Sequence, residues 1–500
     1  MEYNWKGFKS GTDIRGFGCV QVHDPLYLSN EAVQRMTKGF VDWLRNKTNQ
    51  QTLTIAVGHD SRISSPRIDA AVTAALLEAG VCVKSCGMAS TPAMFMTTVM
   101  LPCDGAVQIT ASHHPMDKNG LKFFTPEGGL GGADIAQILA LAEANGFESP
   151  KTPGSVETVD FMTRYAALLR QQIIDGIGRG DKPLTGYRIA VDAGNGVGGF
   201  YACDVLAPLG ADVSGSQFLE PDGTFPNHPA NPEDKTAMCM ASEATVRSGA
   251  DLGIVFDTDV DRAGCVDAAG VEINRNRLVA LAAVIALEDC PGGTIVTDSV
   301  TSDGLHAFIE AHGGKHLRFK RGYKNVIDKM IELNAAGEAC PLAMETSGHA
   351  AFRQNYNLDD GAYLMTQIVI RMARIGRDKL SAMLDSLSVP LEEQEVRFRI
   401  LESDFHAAGE RFIRDWTAYA SAIADYTAAP DNYEGIRFST GKDAGDGWIL
   451  ARLSVHDPVI VINAESNSAG GVRKMMETLY VFSRENPALD ISKLTAFLEK

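Results

Sequence analysis

LGIVFDTDVDRAG, residues 252–264, is an apolar run that stops abruptly at three aspartates within five positions, Asp257, Asp259 and Asp261. The run is short, continuous and β-branched, which predicts a buried strand. The polar stretch behind it predicts a loop at the end of that strand. Similar units lie on either side. YRIAVDAGNGVGG (187–199) reads as a strand followed by a glycine-rich turn, and GGTIVTDSV (292–300) begins another unit. Nearer the start, LTIAVG (53–58) reads as a strand, with a helical stretch from Pro66 to Ala79 behind it. VCVKSCG (81–87) is the next strand, and DGAVQIT (104–110) leads directly into TASHHP (110–115).

This alternation of strands and helices predicts α/β layers with mostly parallel sheets. In such layers ligands sit beyond the carboxyl ends of strands. TASHHP and DTDVDR both take that position. The last hundred residues read differently. VPLEEQEVRFRI (389–400), GWILARLSV (447–455) and VIVINAES (459–466) look like strands, and DFHAAGERFIRDW (404–416) looks helical. A smaller α+β domain is expected there. The division we expect is 1–154, 155–267, 268–387 and 388–500, with a hinge near 386–390.

The bulk composition agrees. A chain of 500 residues is long enough for three or four domains, and 45% apolar with 22% charged residues is ordinary for a globular protein. The net charge of −17 argues against general nucleic-acid binding. It leaves room for an anionic substrate held by a local cluster of Arg and Lys. Nine scattered cysteines with no CxxC pair suggest reduced thiols and a cytoplasmic protein. The opening MEYNWKGFKSGTDIRG has no basic-then-apolar signal segment. LVALAAVIAL (278–287) is too short to span a bilayer, so no membrane association is expected and a buried helix is.

Three carboxylates that close repel one another. A divalent cation relieves the repulsion, and hard oxygen ligands suit Mg²⁺. Arg262 adds a positive charge beside the same loop. In TASHHPMDKNGLKFF (110–124), Ser112 follows a strand in a polar turn shaped by Pro115 and Gly120. Lys122 lies ten residues on, where an ammonium can activate the hydroxyl or offset phosphate charge. Three other readings are open to these residues. An aspartyl-nucleophile phosphatase would want Thr or Val where this chain has Asp261. A serine hydrolase would want a G-x-S-x-G elbow, which is absent. A sugar-phosphate binding protein would need no nucleophile.

TASHHP followed by NGLK resembles the active-site serine loop of the α-D-phosphohexomutases, the phosphoglucomutase/phosphomannomutase family. DTDVDR resembles that family's metal loop, usually written DGDGDR. METSGH (344–349) is similar to its sugar-specificity loop, GTDIRG (11–16) to its N-terminal phosphate-contacting loop, and HPANPE (228–233) to a further family segment. The motifs fall in family order over about 450 residues.

The resemblance implies three related α/β domains with mixed sheets plus a C-terminal α+β domain around a central cleft. It also implies roles. Ser112 would be a phosphoserine. Asp257, Asp259 and Asp261, with the seryl phosphate, would hold one Mg²⁺. Lys122 and His113 would assist proton transfer, and Arg15 and Arg262 would neutralise phosphate. Glu345 and Ser347 would read sugar hydroxyls, with His349 beside them. The expected reaction interconverts hexose 1- and 6-phosphates of glucose or mannose through a hexose 1,6-bisphosphate intermediate. Bisphosphate synthesis and phosphoglucosamine mutation are the alternatives within the family. Partners would be small phosphosugars, and the enzyme a monomer or homodimer.

The chain departs from the family pattern in three places. The C-terminal phosphate loop reads RLSVHDP (452–458), which keeps Arg452, Ser454 and Pro458 but replaces the usual Gly/Asn, Thr and Glu with Val455, His456 and Asp457. His456 is expected to replace a lost phosphate contact, more strongly when protonated. His114 stands where Asn is common. KRGYKN (320–325) is unusually basic, and Lys324 is expected to supply a compensating anion contact.

Overall fold

A computed structural model describes residues 2–19, 24–147, 152–454 and 457–499. The chain divides into two compact units. One comprises Met1–Ile285 with Ser347–Leu384, and the other Ala286–Thr346 with Asp385–Lys500.

In the first unit, Thr54–His59 lies between Cys82–Met88 and Gly105–Ile109, parallel to both. The helices Ser65–Glu78 and Thr91–Met100 make the crossovers, as parallel strands require. Beyond Gly105–Ile109 the sheet changes sense. Lys118–Thr125 and then Asp13–Phe17 pair antiparallel. Ser155–Thr158 completes the opposite edge, parallel to Cys82–Met88. Every residue of Gly105–Ile109 is buried, Gln108 included, whose amide donates to the Ala89 carbonyl at 2.8 Å, so the strand lacks the exposed polar alternation of a one-faced sheet.

The second layer repeats this plan. Ile189–Asp192 and Leu252–Phe256 are parallel, and Leu252–Phe256 then turns back antiparallel into Ala263–Asp267. The sheets are therefore mixed, with fewer parallel pairs than the strand–helix rhythm suggests. The two motifs that promised chemistry are the reason. TASHHP and DTDVDR each join antiparallel neighbours instead of feeding a crossover helix. The first unit also holds the hairpin Ala350–Phe352 with Leu358–Asp359 and the helix Gly361–Ile375, capped by Asp360.

In the second unit, Thr294–Thr297 is flanked in parallel by Lys315–Arg318 and Leu342–Met344. The C-terminal domain is a six-stranded antiparallel sheet. Its order is Tyr426–Ala428, Ile436–Thr440, Gly447–Leu453, Val459–Ser466, Glu392–Ile400 and Leu489–Asp490. Val396, Phe398 and Ile400 alternate with exposed Glu395, Arg397 and Arg399, the period expected of a sheet with one covered face. Phe412 and Trp416 of helix Phe405–Ser421, and Met475 and Leu479 of helix Gly471–Ser483, belong to the same core. The apolar run 278–287 lies in the helix Asn276–Asp289 and is largely buried. Among the described residues no helix is long and apolar enough to cross a membrane.

Candidate active site

The serine loop is held in an unusual shape. Ser112 has φ +51°, a left-handed conformation that costs a non-glycine residue free energy unless its surroundings impose it. They do so here. Its N–H donates to Thr110 Oγ1 at 2.9 Å. Arg62, only 1% exposed, sits beneath the loop and donates to the carbonyls of Ser112, His114, Pro115 and Lys118. Asp60, fully buried, is its counter-ion at 3.1 Å. One guanidinium thus satisfies four loop carbonyls, which its forked donor set allows. Gly120 lies in a strand and not in the turn. A Cβ there would come 2.7 Å from Arg15 Nη1, so the glycine makes room for that arginine.

The aspartate loop meets the serine loop within the same unit. Ser112 Oγ donates to Asp257 Oδ2 at 3.0 Å, and His113 Nδ1 is 3.3 Å from Oγ. Lys122 Nζ donates to Asp259 Oδ2 at 3.1 Å and also to Asp261 Oδ2. Thr91 Oγ1 donates to Asp259 Oδ2 at 2.5 Å. The glycine-rich turn of 194–199 backs the loop. Val197 N–H donates to the Thr258 carbonyl at 2.9 Å, and a Cβ on Gly196 would fall 2.6 Å from that carbonyl. Val260 takes φ +67° at a position where the family's loop pattern has glycine, a strained choice for a β-branched residue.

The electrostatics of the triad are uneven. Burial, and then the charges of Asp261 and Asp259, push the Asp257 carboxyl well above the usual range. Asp261 goes the other way. Burial opposes its ionisation, but Lys122, His349 and Arg262 prevail and hold it well below the ordinary value. One oxygen from each of Asp257, Asp259 and Asp261 lies within 4.8 Å of the others. Oδ1 of Asp259 and Oδ1 of Asp261 are buried without a hydrogen-bond partner. Orphaned carboxylate oxygens are costly in a protein interior, and a hard divalent cation satisfies them. The residues present fit a metal.

Arg15 donates to the Thr110 carbonyl and pairs with Asp13 at 2.7 Å, so it borders the serine loop. Arg262 donates through Nε to His349 Nε2 at 2.8 Å and reaches Glu233 at 3.4 Å. His349 holds Asp359 with its other nitrogen. The positive charge of Arg262, followed by burial, drives the pKa of His113 far down, so that imidazole is neutral beside Ser112 Oγ. Ser347 is buried, with its hydroxyl unpartnered.

The remaining residues singled out in the sequence belong to the second unit. Glu345 is buried and accepts the Gly322 N–H at 2.6 Å. Lys324 pairs with Asp328 along its own helix. It is Arg321, three positions earlier, whose Nε comes 4.0 Å from Asp298. Arg452 is buried and pairs with Glu434 at 3.3 Å. Ser454 turns its hydroxyl onto the Asp457 N–H at 3.3 Å. His456 lies outside the described residues.

Sequence reading passed over Arg62, Thr91, Asp359 and Glu434, and it noted Arg321 only as part of the basic stretch KRGYKN. The first two carried a usable signal. HDSR (59–62) and MASTP (88–92) follow the ends of parallel strands, as TASHHP follows its own. Asp359 and Glu434 carried none, because only tertiary contacts give them partners.

The fold and site together define a metal-assisted phosphoryl-transfer enzyme of the isomerase class. Models of phosphoglucomutase/phosphomannomutase α/β/α domains I, II and III match residues 11–149, 171–270 and 274–389. A phosphomannomutase/phosphoglucomutase of Pseudomonas aeruginosa is 31% identical over 445 residues, 88% of each chain. A phosphoglucomutase of Neisseria meningitidis is 28% identical over 483 residues, 95% of this chain and 96% of its own. A crystal structure of a phosphoglucomutase/phosphomannomutase family protein from Burkholderia thailandensis superposes with a TM-score of 0.79 at 26% identity, covering 98% of this chain and 99% of its own. The chain belongs to the phosphoglucomutase/phosphomannomutase family.

Proposed function

We propose that this enzyme interconverts hexose 1-phosphate and hexose 6-phosphate, of glucose or mannose, by phosphoryl transfer through Ser112. The observation that carries the proposal is the hydrogen bond from Ser112 Oγ to Asp257, which brings a hydroxyl to a buried ring of carboxylates with unpartnered oxygens. Asp257, Asp259 and Asp261 would hold Mg²⁺, which when bound offsets charge on the phosphoryl oxygens.

The chain's own groups supply the rest. Phosphorylated Ser112 gives its phosphoryl to a free hydroxyl of the bound monophosphate. The P–Oγ bond breaks as the bond to the sugar oxygen forms, and the proton lost by the sugar balances the one Oγ regains. Lys122 and neutral His113 would move that proton. Arg15 and Arg262 offset phosphate charge. The hexose 1,6-bisphosphate then returns its other phosphoryl to Ser112. Glu345, Ser347 and His349 orient the sugar, and Arg452 with Ser454 takes the phosphate that does not react. We also retain the four segments 1–154, 155–267, 268–387 and 388–500, a cytoplasmic location and a monomer or homodimer.

Intact mass tests the nucleophile. The purified chain should carry one phosphate, and Ser112→Ala should lack it and be inactive. A fully active Ser112→Ala enzyme would sink the proposal. Glucose, mannose, glucosamine and N-acetylglucosamine phosphates, assayed for both monophosphate and bisphosphate products, identify the sugar and separate mutase from bisphosphate synthase.

A further inference from the structure

The second unit holds a set of donors suited to an anion, and carboxylates of the chain itself occupy it. The N–H groups of Arg321 and Gly322 are consecutive, and Gly322 has φ +118°. Consecutive backbone N–H groups in such a turn form a concave anion receptor. The Ser299 hydroxyl and the Arg452 guanidinium point to the same place. Glu434 accepts from three of these four. Its Oε2 takes the Ser299 hydroxyl at 2.8 Å and the Arg321 N–H at 2.9 Å, while its Oε1 faces Arg452 Nη1 at 3.3 Å. Glu345 takes the fourth donor, Gly322 N–H.

The position of Glu434 is built in. Gly435, next in the chain, has φ +61°, and a Cβ there would lie 2.1 Å from the Ala451 carbonyl and 2.8 Å from Arg452 Cα. The glycine lets the Glu434 backbone lie against Arg452. Tyr433 packs on Phe319 with ring centroids 4.8 Å apart and anchors the loop from the other side. The pairing with Arg452 is incomplete. At 3.3 Å it is long for a charge-assisted bond, and Arg452 Nε is buried with no hydrogen-bond partner. A buried guanidinium in that condition binds a better-matched anion in preference.

We propose that Glu434 is an affinity-setting residue that stands in for a substrate phosphate. Its carboxylate occupies the donors around Arg452 and competes with the non-transferred phosphate of a hexose monophosphate, so that it sets how weakly this pole grips phosphosugars. The inference rests on the reading of Arg452 as a phosphate-binding residue given above.

The test is KM for glucose 1-phosphate and mannose 1-phosphate in three variants. Glu434→Gln keeps the shape and the acceptor oxygen but removes the competing charge. Its KM should fall about three- to tenfold, more than kcat changes. Glu434→Asp keeps the charge one methylene farther from Arg452 and should give a smaller fall. KM unchanged or raised in both variants overturns the inference. Arg452→Gln separates the two layers of the argument. A KM raised about tenfold or more keeps the phosphate reading whatever Glu434 does, while an unchanged KM removes that reading and the inference with it.

Discussion

Ser112 Oγ and Asp257 Oδ2 lie 3.0 Å apart although 145 positions separate the two residues. Each reaches the other from a loop that closes an antiparallel pair at the end of a parallel core. That geometry puts a nucleophile on a carboxylate whose ionisation is opposed by burial and by two neighbouring aspartates. The hydroxyl therefore serves as one of the few groups that steady the triad. Any charge placed on Oγ must be balanced locally.

The first prediction concerns that balance. Asp257→Asn keeps the shape but removes one of three charges that would hold the metal. Loss of a Lewis-acid ligand should lower kcat by a hundredfold or more and weaken Mg²⁺ binding measured by calorimetry. A variant that binds Mg²⁺ as tightly as the native enzyme would count against the triad as its site.

Arg62 offers a second test. Its guanidinium satisfies four carbonyls of the serine loop, and a lysine ammonium cannot span them all. Arg62→Lys should fold, with kcat reduced about ten- to a hundredfold as the loop loosens and KM changed less. Arg62→Met strands fully buried Asp60 and should lose about 3–5 kcal/mol of stability in urea unfolding. Native kcat in the lysine variant would show that the loop holds its left-handed serine without Arg62.

Much of the site was legible because its signals are local. Asp257, Asp259 and Asp261 are neighbours in sequence, and Ser112 comes three residues after its strand ends. The alternation of strand and helix announced the α/β layers, and the change of rhythm after 389 announced the last domain. What stayed hidden depends on distance. Thr91 reaches Asp259 across 168 positions and Glu434 reaches Ser299 across 135. No periodicity records such pairings. Lys324 shows the complementary case. Its charge was visible in KRGYKN, but the helix beginning at Tyr323 turns it onto Asp328, while Arg321 stays in the turn beside Asp298. Charge can be counted in a sequence, whereas its direction is set by where the helix starts.

Lys122 carries a prediction about metal and stability together. It is buried and bonded to both Asp259 and Asp261. Lys122→Met leaves two carboxylates without their cation, at a cost of about 3–5 kcal/mol. Mg²⁺ stabilises each form according to its affinity for it, and removing the ammonium that competes for Asp259 and Asp261 raises that affinity. The variant's melting temperature should therefore rise further on adding Mg²⁺ than the native enzyme's does. Equal rises in both would mean that the ammonium and the metal do not share these carboxylates.

Glu465 supplies a prediction in pH. It is buried, accepts from Trp448 Nε1 at 2.8 Å, and is pushed up to about 7, chiefly by burial. In the unfolded chain an ordinary glutamate ionises near 4.5. Between those values the native state holds a proton that the unfolded state has lost. The sign follows from linkage. The stabilising contribution is complete below the unfolded value and is lost as pH rises through about 7. Above that, the folded protein bears a buried carboxylate only partly matched by Arg437. Glu465→Gln is neutral at every pH and of the same size, so it escapes this loss. The variant should match the native enzyme within about 0.5 kcal/mol at pH 4.5 and exceed it by about 1–2 kcal/mol at pH 8, after discounting for residual solvent. Urea midpoints at the two pH values measure it. A gap between variant and native enzyme that stays constant with pH would mean that Glu465 ionises alike in the folded and unfolded chain.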